Sequence, residues 1–253
     1  MKKTIILCCA LLCMAIVGKA QTIQSPDGKI NVVLELSEGK PCYRVLYEGQ
    51  EVLNRSALGV VTNIGDYTQG LALKDIVQNT VSEDYTLRNI KQRNVHYEAT
   101  EAVAKYEQNG QNVMDIIFRV SNRDVAFRYQ LYPKKDTRVC VVEREASSFV
   151  LPDGSTTFLC PQSKPMGGFA RTSPSYETSY SLDEPIGKNG WGEGYTFPCL
   201  FKVSEGAWVL ISETGTDGNY VGCRLLNEQG GRYRIGFPQQ GELNGLGSVT
   251  AGD

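Results

Sequence analysis

The sequence contains a single histidine, His96, among 253 residues. One imidazole cannot form a multi-histidine zinc site or a histidine pair, and the polar stretch around His96 is typical of a surface or turn residue. The sequence also lacks a glycine-rich phosphate loop and a dinucleotide-binding fingerprint. These absences argue against nucleotide-dependent and histidine-centred chemistry.

An excess of charge of either sign is also missing. The 26 Lys and Arg residues nearly balance the 28 Asp and Glu residues, giving a formal net charge of −2. The chain has neither a basic block nor a long acidic tail. We therefore expect no nucleic-acid partner and no attraction to an anionic membrane surface.

Long hydrophobic runs are absent beyond the first twenty residues. The run at 4–17 follows two lysines and precedes the small-residue sequence Gly18-Lys19-Ala20, which is the pattern of a secretory signal peptide. It is too short for a membrane-spanning helix. We therefore predict a signal peptide at 1–20, no membrane insertion and a periplasmic location. Losing the three lysines of this segment, which holds no acid, takes the net charge from −2 to −5.

Cysteine is too sparse for a disulfide framework. Of the eight cysteines, three lie in the predicted signal peptide, and no C-x-x-C pair occurs. The remaining five are Cys42, Cys140, Cys160, Cys199 and Cys223. Their odd number predicts that most are small buried apolar groups, although one disulfide is compatible with an oxidising compartment.

Helical periodicity is scarce as well. The best helix candidate, 98–107, fits an extended strand equally well. Apolar and polar residues otherwise alternate with period two, and turn pairs such as Asn109-Gly110 separate the segments. The clearest strands are predicted at 29–36, 113–120, 125–131, 207–212 and 232–237. The pattern predicts an all-β fold, a large antiparallel sandwich in one domain over 21–253, with few or no helices.

Residues 161–195 break this alternation. The segment is rich in Ser, Pro, Gly, Tyr and Lys and has few aliphatic residues. A long irregular excursion from a rigid sandwich is usually functional, and the aromatic content argues against disorder. We therefore predict that this excursion carries the functional site.

Glu177 is the candidate ligand in this excursion, because it lies between Tyr176 and Tyr180. An isolated carboxylate suits a hard cation such as calcium, but tight binding needs further oxygen ligands from elsewhere. Trp191 and Tyr195 either stack on sugar rings or fill the edge of the sandwich.

Glycoside hydrolysis normally needs two carboxylates that face each other across the scissile bond. The sequence offers no convincing pair. Glu143 and Glu145 share one strand face, and a solvated face is the favoured interpretation over a carboxylate pair.

Several segments in order resemble the N-terminal domain of glycoside hydrolase family 97. They are Ser25-Pro26-Asp27-Gly28-Lys29, Phe127-Arg128-Tyr129, the Glu177 segment, Gly194-Tyr195-Thr196-Phe197-Pro198 and the run from Trp208 to Glu213. The resemblance covers essentially the whole chain after residue 20. It implies a β-super-sandwich like that of galactose mutarotase, followed in the family by a catalytic (β/α)8 barrel and a short C-terminal β-domain.

The same resemblance implies a function. Family members are exported, exo-acting α-glucosidases and α-galactosidases with calcium in the active site, and their catalytic carboxylates belong to the barrel. This chain is accordingly expected to hold no catalytic residue. Glu177 matches the calcium-ligating glutamate of the N-terminal domain, and Asn189, Trp191 and Glu193 match the loop beside the substrate.

We therefore expect residues 21–253 to be the N-terminal domain of a larger enzyme, inactive alone. Its partners would be the barrel of the same polypeptide and an α-linked oligosaccharide. One alternative is a free-standing periplasmic carbohydrate-binding or structural module, which predicts sugar affinity in this chain alone. An aldose mutarotase is a weaker alternative, because its acid–base chemistry uses histidine with glutamate.

Overall fold

A computed structural model describes residues 20–134, 139–162, 179–188, 194–215 and 222–237. These residues form 18 β-strands and one three-residue 3-10 turn, Gln229–Gly231, with no α-helix in the described ranges. No helix in that part of the chain is long and apolar enough to cross a bilayer. The all-β prediction is confirmed.

The strands alternate with short turns along the chain. In the first half they are β1 (Gln21–Gln24), β2 (Ile30–Ser37), β3 (Lys40–Tyr47), β4 (Gln50–Ala57), β5 (Val60–Thr62), β6 (Gly65–Asp66), β7 (Ala72–Thr86), β8 (Asn94–Gln108), β9 (Gln111–Ser121) and β10 (Val125–Leu131). In the second half they are β11 (Val142–Glu145), β12 (Ser148–Val150), β13 (Thr156–Pro161), β14 (Ser181–Pro185), β15 (Tyr195–Lys202), β16 (Trp208–Ile211), β17 (Arg224–Asn227) and β18 (Arg232–Gly236).

These strands build three antiparallel sheets. The largest has the order β1-β2-β3-β4-β12-β18-β17-β15-β13-β14, with β16 also paired to β15. A four-stranded sheet has the order β10-β9-β8-β7, and a small one the order β11-β5-β6. Hairpins pair strands that are neighbours in sequence in both halves, whereas β4–β12, β12–β18 and β5–β11 pair strands that are distant in sequence.

Aromatic side chains fill the space between the large sheet and the four-stranded sheet. Tyr43 of β3 lies 5.8 Å from Phe118 of β9, ring centroid to centroid, and 5.6 Å from Phe127 of β10. Phe118 and Phe127 are 5.4 Å apart. Alternation places these residues on inward faces, and burial of their large apolar area stabilises the sandwich.

The tight hairpins have the expected turn chemistry. Glu38-Gly39, Glu48-Gly49 and Asn109-Gly110 each contain two consecutive residues with positive φ, between 48° and 82°. Such pairs form type I′ turns, whose twist matches that of the flanking strands. The turn predicted at Asn109-Gly110 is confirmed.

Most predicted strand positions are confirmed with small shifts at the ends. The strand predicted at 125–131 is β10 with the same bounds, and the one at 113–120 is the centre of β9. The ambiguous segment 98–107 lies within β8, which pairs with both β7 and β9. The extended interpretation was therefore the right one.

His96 is an exposed residue of β8, near the end of the β7–β8 hairpin. Its Nδ1 lies 2.8 Å from Asp84 Oδ1 and its Nε2 lies 3.3 Å from Glu98 Oε1. Hydrogen bonds to these two carboxylates raise the pKa of His96. The surface location predicted from the sequence is confirmed, on a strand rather than in a turn.

Candidate functional site

The four residues predicted to form the site lie outside the described residues. Glu177 belongs to the segment 163–178, and Asn189, Trp191 and Glu193 belong to the segment 189–193. The structure does describe the residues on both sides of these segments, and their pairing shows where the segments begin and end.

Residues that flank the two segments, namely Gln162, Ser181 and Gly194, lie near the end of β13. Leu159 is paired with Ser181 of β14, and Pro161 is paired with Tyr195 of β15. One residue further, the Gln162 amide donates a 2.7 Å hydrogen bond to the Gly194 carbonyl. The segment with Glu177 and the segment with Trp191 therefore join the fold next to each other, as a shared site requires.

The side chain of Gln162 reinforces this junction. Its Nε2 donates to Thr196 Oγ1 at 2.9 Å. Its Oε1 is buried and accepts no hydrogen bond from the described residues. Gln162 thus holds the start of β15 against the end of β13, with one acceptor left over at the junction.

Tyr195 is a core residue. Its side chain is 3% exposed, and its ring centroid lies 6.4 Å from that of Tyr233. Of the two roles left open by the sequence, sugar stacking and core filling, the structure supports core filling. Tyr195 therefore fixes the end of the segment 189–193 to the core and does not face a ligand.

Gly194 is required by the close packing at this anchor. Its φ is 120°, and a Cβ atom built there would lie 2.7 Å from the Leu225 carbonyl oxygen and 2.7 Å from Leu226 Cδ2. At the other end of the segment, the Lys188 carbonyl accepts a 3.0 Å hydrogen bond from Asn227 Nδ2. Both ends of 189–193 are thus fixed against β17.

Replacing Gly194 with Ala is expected to lower the free energy of unfolding by about 2–5 kcal/mol, from positive φ and overpacking together. The matched control is Gly110→Ala, because Gly110 has φ 75° but no atom within 4 Å of the added Cβ. The control should lose only about 1–2 kcal/mol. Urea unfolding followed by circular dichroism measures both, and equal losses would contradict the packing argument.

A second group of polar side chains surrounds Glu145 at the end of β11. Ser147 Oγ hydrogen-bonds Glu145 and lies 2.6 Å from the Tyr129 hydroxyl, which accepts a 2.8 Å hydrogen bond from the Gly59 amide. Burial raises the pKa of Glu145, while the hydrogen bond from Ser147 opposes this shift. Glu143 is exposed, as the interpretation of a solvated strand face requires, whereas Glu145 is half-buried and hydrogen-bonded by Ser147.

Another carboxylate lies in the same region. Glu213 Oε2 accepts hydrogen bonds from the backbone amide and from Sγ of Cys223, both at 3.1 Å. Burial and the nearby charges of Glu213 and Glu145 raise the pKa of the Cys223 thiol, so it stays protonated. Alternation in the sequence could not reveal this cluster, because its members come from four separate segments.

Glu145→Gln is expected to change the pH dependence of stability. Because burial in the folded chain raises the pKa of Glu145 above its ordinary value of 4.5, the proton binds the folded chain more tightly than the unfolded one. The stabilisation that this tighter proton binding gives the folded chain is complete below pH 4.5 and is lost as the pH rises through the pKa of Glu145 in the folded chain. The variant should therefore gain stability relative to the parent chain between about pH 4.5 and pH 8.

Urea unfolding of the two proteins at the two pH values measures this difference. The control is Glu143→Gln, which removes an exposed carboxylate from the same strand. If the difference in unfolding free energy between Glu145→Gln and the parent chain is the same at both pH values, folding does not raise the pKa of Glu145, and its carboxylate is solvated rather than buried.

None of the five cysteines after residue 20 is in a disulfide, and three of them are buried. Within the described ranges, no group of three or more His, Cys, Asp or Glu side chains is arranged to hold a metal ion. The Glu145 cluster is therefore not a metal centre on its own residues. The junction at the end of β13 remains the place where the predicted site residues join the fold.

Comparison with known proteins identifies the family. The model of the glycosyl-hydrolase 97 N-terminal family matches residues 23–245. The chain belongs to this family. A probable retaining alpha-galactosidase of Streptomyces bingchenggensis (strain BCW-1) is 32% identical over 221 residues, which is 85% of this chain and 32% of that protein.

Solved structures support the same assignment. A beta-arabinopyranosidase structure superposes with a TM-score of 0.82 at 43% identity, covering 87% of this chain and 35% of its own. A glycoside hydrolase family 97 enzyme from Pseudoalteromonas sp. strain K8, in complex with panose, has a TM-score of 0.74 at 18% identity, covering 86% and 32%. This family 97 chain thus spans about a third of the length of these relatives.

Proposed function

We propose that this chain is the N-terminal domain of an exported, exo-acting α-glycosidase of family 97. In this proposal it packs on a catalytic (β/α)8 barrel of the same polypeptide and is inactive alone. The observation that carries the proposal is the family match over residues 23–245 in a chain that spans about a third of its relatives. The signal-like first twenty residues support export.

A substrate with the ring configuration of galactose is favoured over one with that of glucose. Two relatives above 30% identity are named a probable retaining alpha-galactosidase and a beta-arabinopyranosidase. These names are chemically compatible, because a β-L-arabinopyranoside has the ring configuration of an α-D-galactoside without the exocyclic CH2OH group. The proposed substrate class is therefore a glycoside with an axial 4-hydroxyl group.

Calcium is the proposed cofactor, with Glu177 as the ligand from this chain. The sequence around Glu177 offers only oxygen donors, from its carboxylate and from neighbouring Ser, Thr and Tyr hydroxyls. Oxygen donors suit calcium, and a single carboxylate needs partners from another part of the protein to bind it tightly. Bound calcium would supply positive charge beside the reacting oxygen atoms.

The segment 189–193 is proposed to form one wall of the sugar pocket, through Asn189, Trp191 and Glu193. The indole can stack on a sugar ring, and the amide and carboxylate oxygens can accept hydrogen bonds from its hydroxyl groups. The end of this segment, at Gly194, lies beside Gln162, where the Glu177 segment begins, and this supports placing wall and metal ligand side by side.

The test begins with the intact mass of the native gene product, purified from its source cells. We expect a species several tens of kDa above the 27.9 kDa of this chain. That product should hydrolyse p-nitrophenyl α-D-galactoside or β-L-arabinopyranoside faster than the α-D-glucoside, and EDTA should abolish the activity until calcium is restored. A native product of the size of this chain, or a larger one that hydrolyses none of the three, would overturn the proposal.

A further inference from the structure

The outer face of four neighbouring strands carries an exposed apolar row. Leu182 of β14 is paired with Phe158 of β13, Phe158 with Leu200 of β15, and Leu200 with Leu210 of β16. Directly paired residues share one face of an antiparallel sheet. Trp208, two residues before Leu210, is on the same face, and its ring centroid lies 5.3 Å from that of Phe158.

Three of the five members of this outer row are exposed: Leu182 is 69% exposed, Leu210 62% and Trp208 50%. Phe158 and Leu200, which lie between them, are half-buried. The opposite face of the same strands is in the core, where Leu159 and Phe201 are buried. A sheet with apolar residues on both faces is typical of a sheet that is covered on both sides, and contiguous exposed apolar surface marks an interaction site.

Charged side chains at the rim of the outer row have polar partners. Lys202, which is paired with Trp208, has its Nζ 2.8 Å from Glu205 Oε1. The Asp183 carboxylate accepts a 2.6 Å hydrogen bond from the Thr156 hydroxyl. An apolar centre with a polar rim is the usual anatomy of a protein–protein interface.

We propose that the outer row is the surface on which the remaining two-thirds of the longer enzyme docks. This inference rests on the proposed function, because it requires that larger part to exist. Two observations favour this occupant over a second copy. The relatives are about three times as long as this chain. Strands β13, β14 and β15 also flank the segments 163–178 and 189–193, which are proposed to hold the calcium ligand and the wall of the sugar pocket.

Hydroxyl-radical footprinting of the chain alone and of the longer native protein tests the inference. Oxidation of Trp208 and Leu210 should fall about tenfold in the longer protein, because the core of an interface excludes water. Tyr85 and Ile90, which are exposed at the distant end of the β7–β8 hairpin, serve as controls and should be oxidised equally in both. Equal oxidation of Trp208 in both proteins would overturn the inference.

The double variant Leu182→Glu/Leu210→Glu gives an independent measurement. In the longer protein it should lower the melting temperature by about 5 °C or more, because unpaired carboxylates are costly in a buried interface. In the chain alone it should leave the melting temperature unchanged, and Val77→Glu, at another exposed apolar position, should leave it unchanged in both. An equal effect in both proteins would show that the row serves this domain alone.

The other outcomes identify other occupants. A chain that sediments as a dimer with Trp208 protected would assign the row to a second copy, and protection in the monomeric chain would assign it to this chain's own residues. Either result overturns the inference. A longer protein with a protected row but no glycosidase activity would overturn only the proposed function, whereas an active enzyme with Trp208 exposed would overturn only the docking surface.

Discussion

Replacing Glu177 with Gln in the longer enzyme is expected to lower calcium affinity and hydrolytic activity together. The substitution keeps the shape of the side chain and removes its charge, and amide oxygen is a weaker calcium ligand than carboxylate. Even partners in the outer shell of metal sites contribute about 10- to 100-fold in affinity or activity, so the loss here should be at least that large. Activity should be recovered in part when calcium is raised.

The measurement is a calcium titration of initial rates on a galactoside, for the parent enzyme and the variant. A matched control is Glu184→Gln, which makes the same chemical change at a surface residue whose carboxylate pairs with Lys188. The control should keep the calcium dependence of the parent enzyme. If Glu177→Gln also keeps it at limiting calcium, the ligand from this domain is another residue.

The fold could be predicted from the sequence because the relevant information is local. Alternation with period two fixes which side chains face inward, and pairs such as Asn109-Gly110 fix the hairpin turns. The pairs β4–β12 and β12–β18 could not be predicted, because strand order in the large sheet depends on contacts between residues far apart in sequence.

Long-range contacts also explain why the environments of Tyr195 and Glu145 could not be predicted. Alternation left Tyr195 open between a binding and a core role, and only its packing on Tyr233, a residue of β18, decides for the core. Glu145 was assigned to a solvated face, yet burial raises its pKa beside Ser147 and Tyr129. Both environments are made by other strands, so no local pattern records them.

The outer row depends both on the local pattern of each strand and on the register between strands. Each strand contributes one or two apolar residues on its outward face, which in a single strand is an ordinary observation. Register turns them into one surface, because Leu182, Phe158 and Leu200 are direct neighbours across three strands. The functional meaning of an exposed Leu therefore depends on its cross-strand partners rather than on its own burial.

Phe118→Ala is expected to cause the largest loss of stability in the domain. Phe118 is fully buried, and its ring lies within 6 Å of both Tyr43 and Phe127, centroid to centroid. Truncation removes one of the aromatic contacts between the two main sheets and leaves a cavity in the core. Losses of about 3–5 kcal/mol in unfolding free energy are usual for such a change.

Urea unfolding of this chain at neutral pH measures the loss, with Tyr85→Ala as the control. Tyr85 is an aromatic residue of β7 that is exposed, so its truncation should change the unfolding free energy by about 0.5 kcal/mol or less. Phe118 contacts residues of both β3 and β10, whereas the junction at the end of β13 is elsewhere in the fold. A loss below about 1 kcal/mol for Phe118→Ala would mean that the core relaxes around the cavity and that the sheets are held together by other contacts.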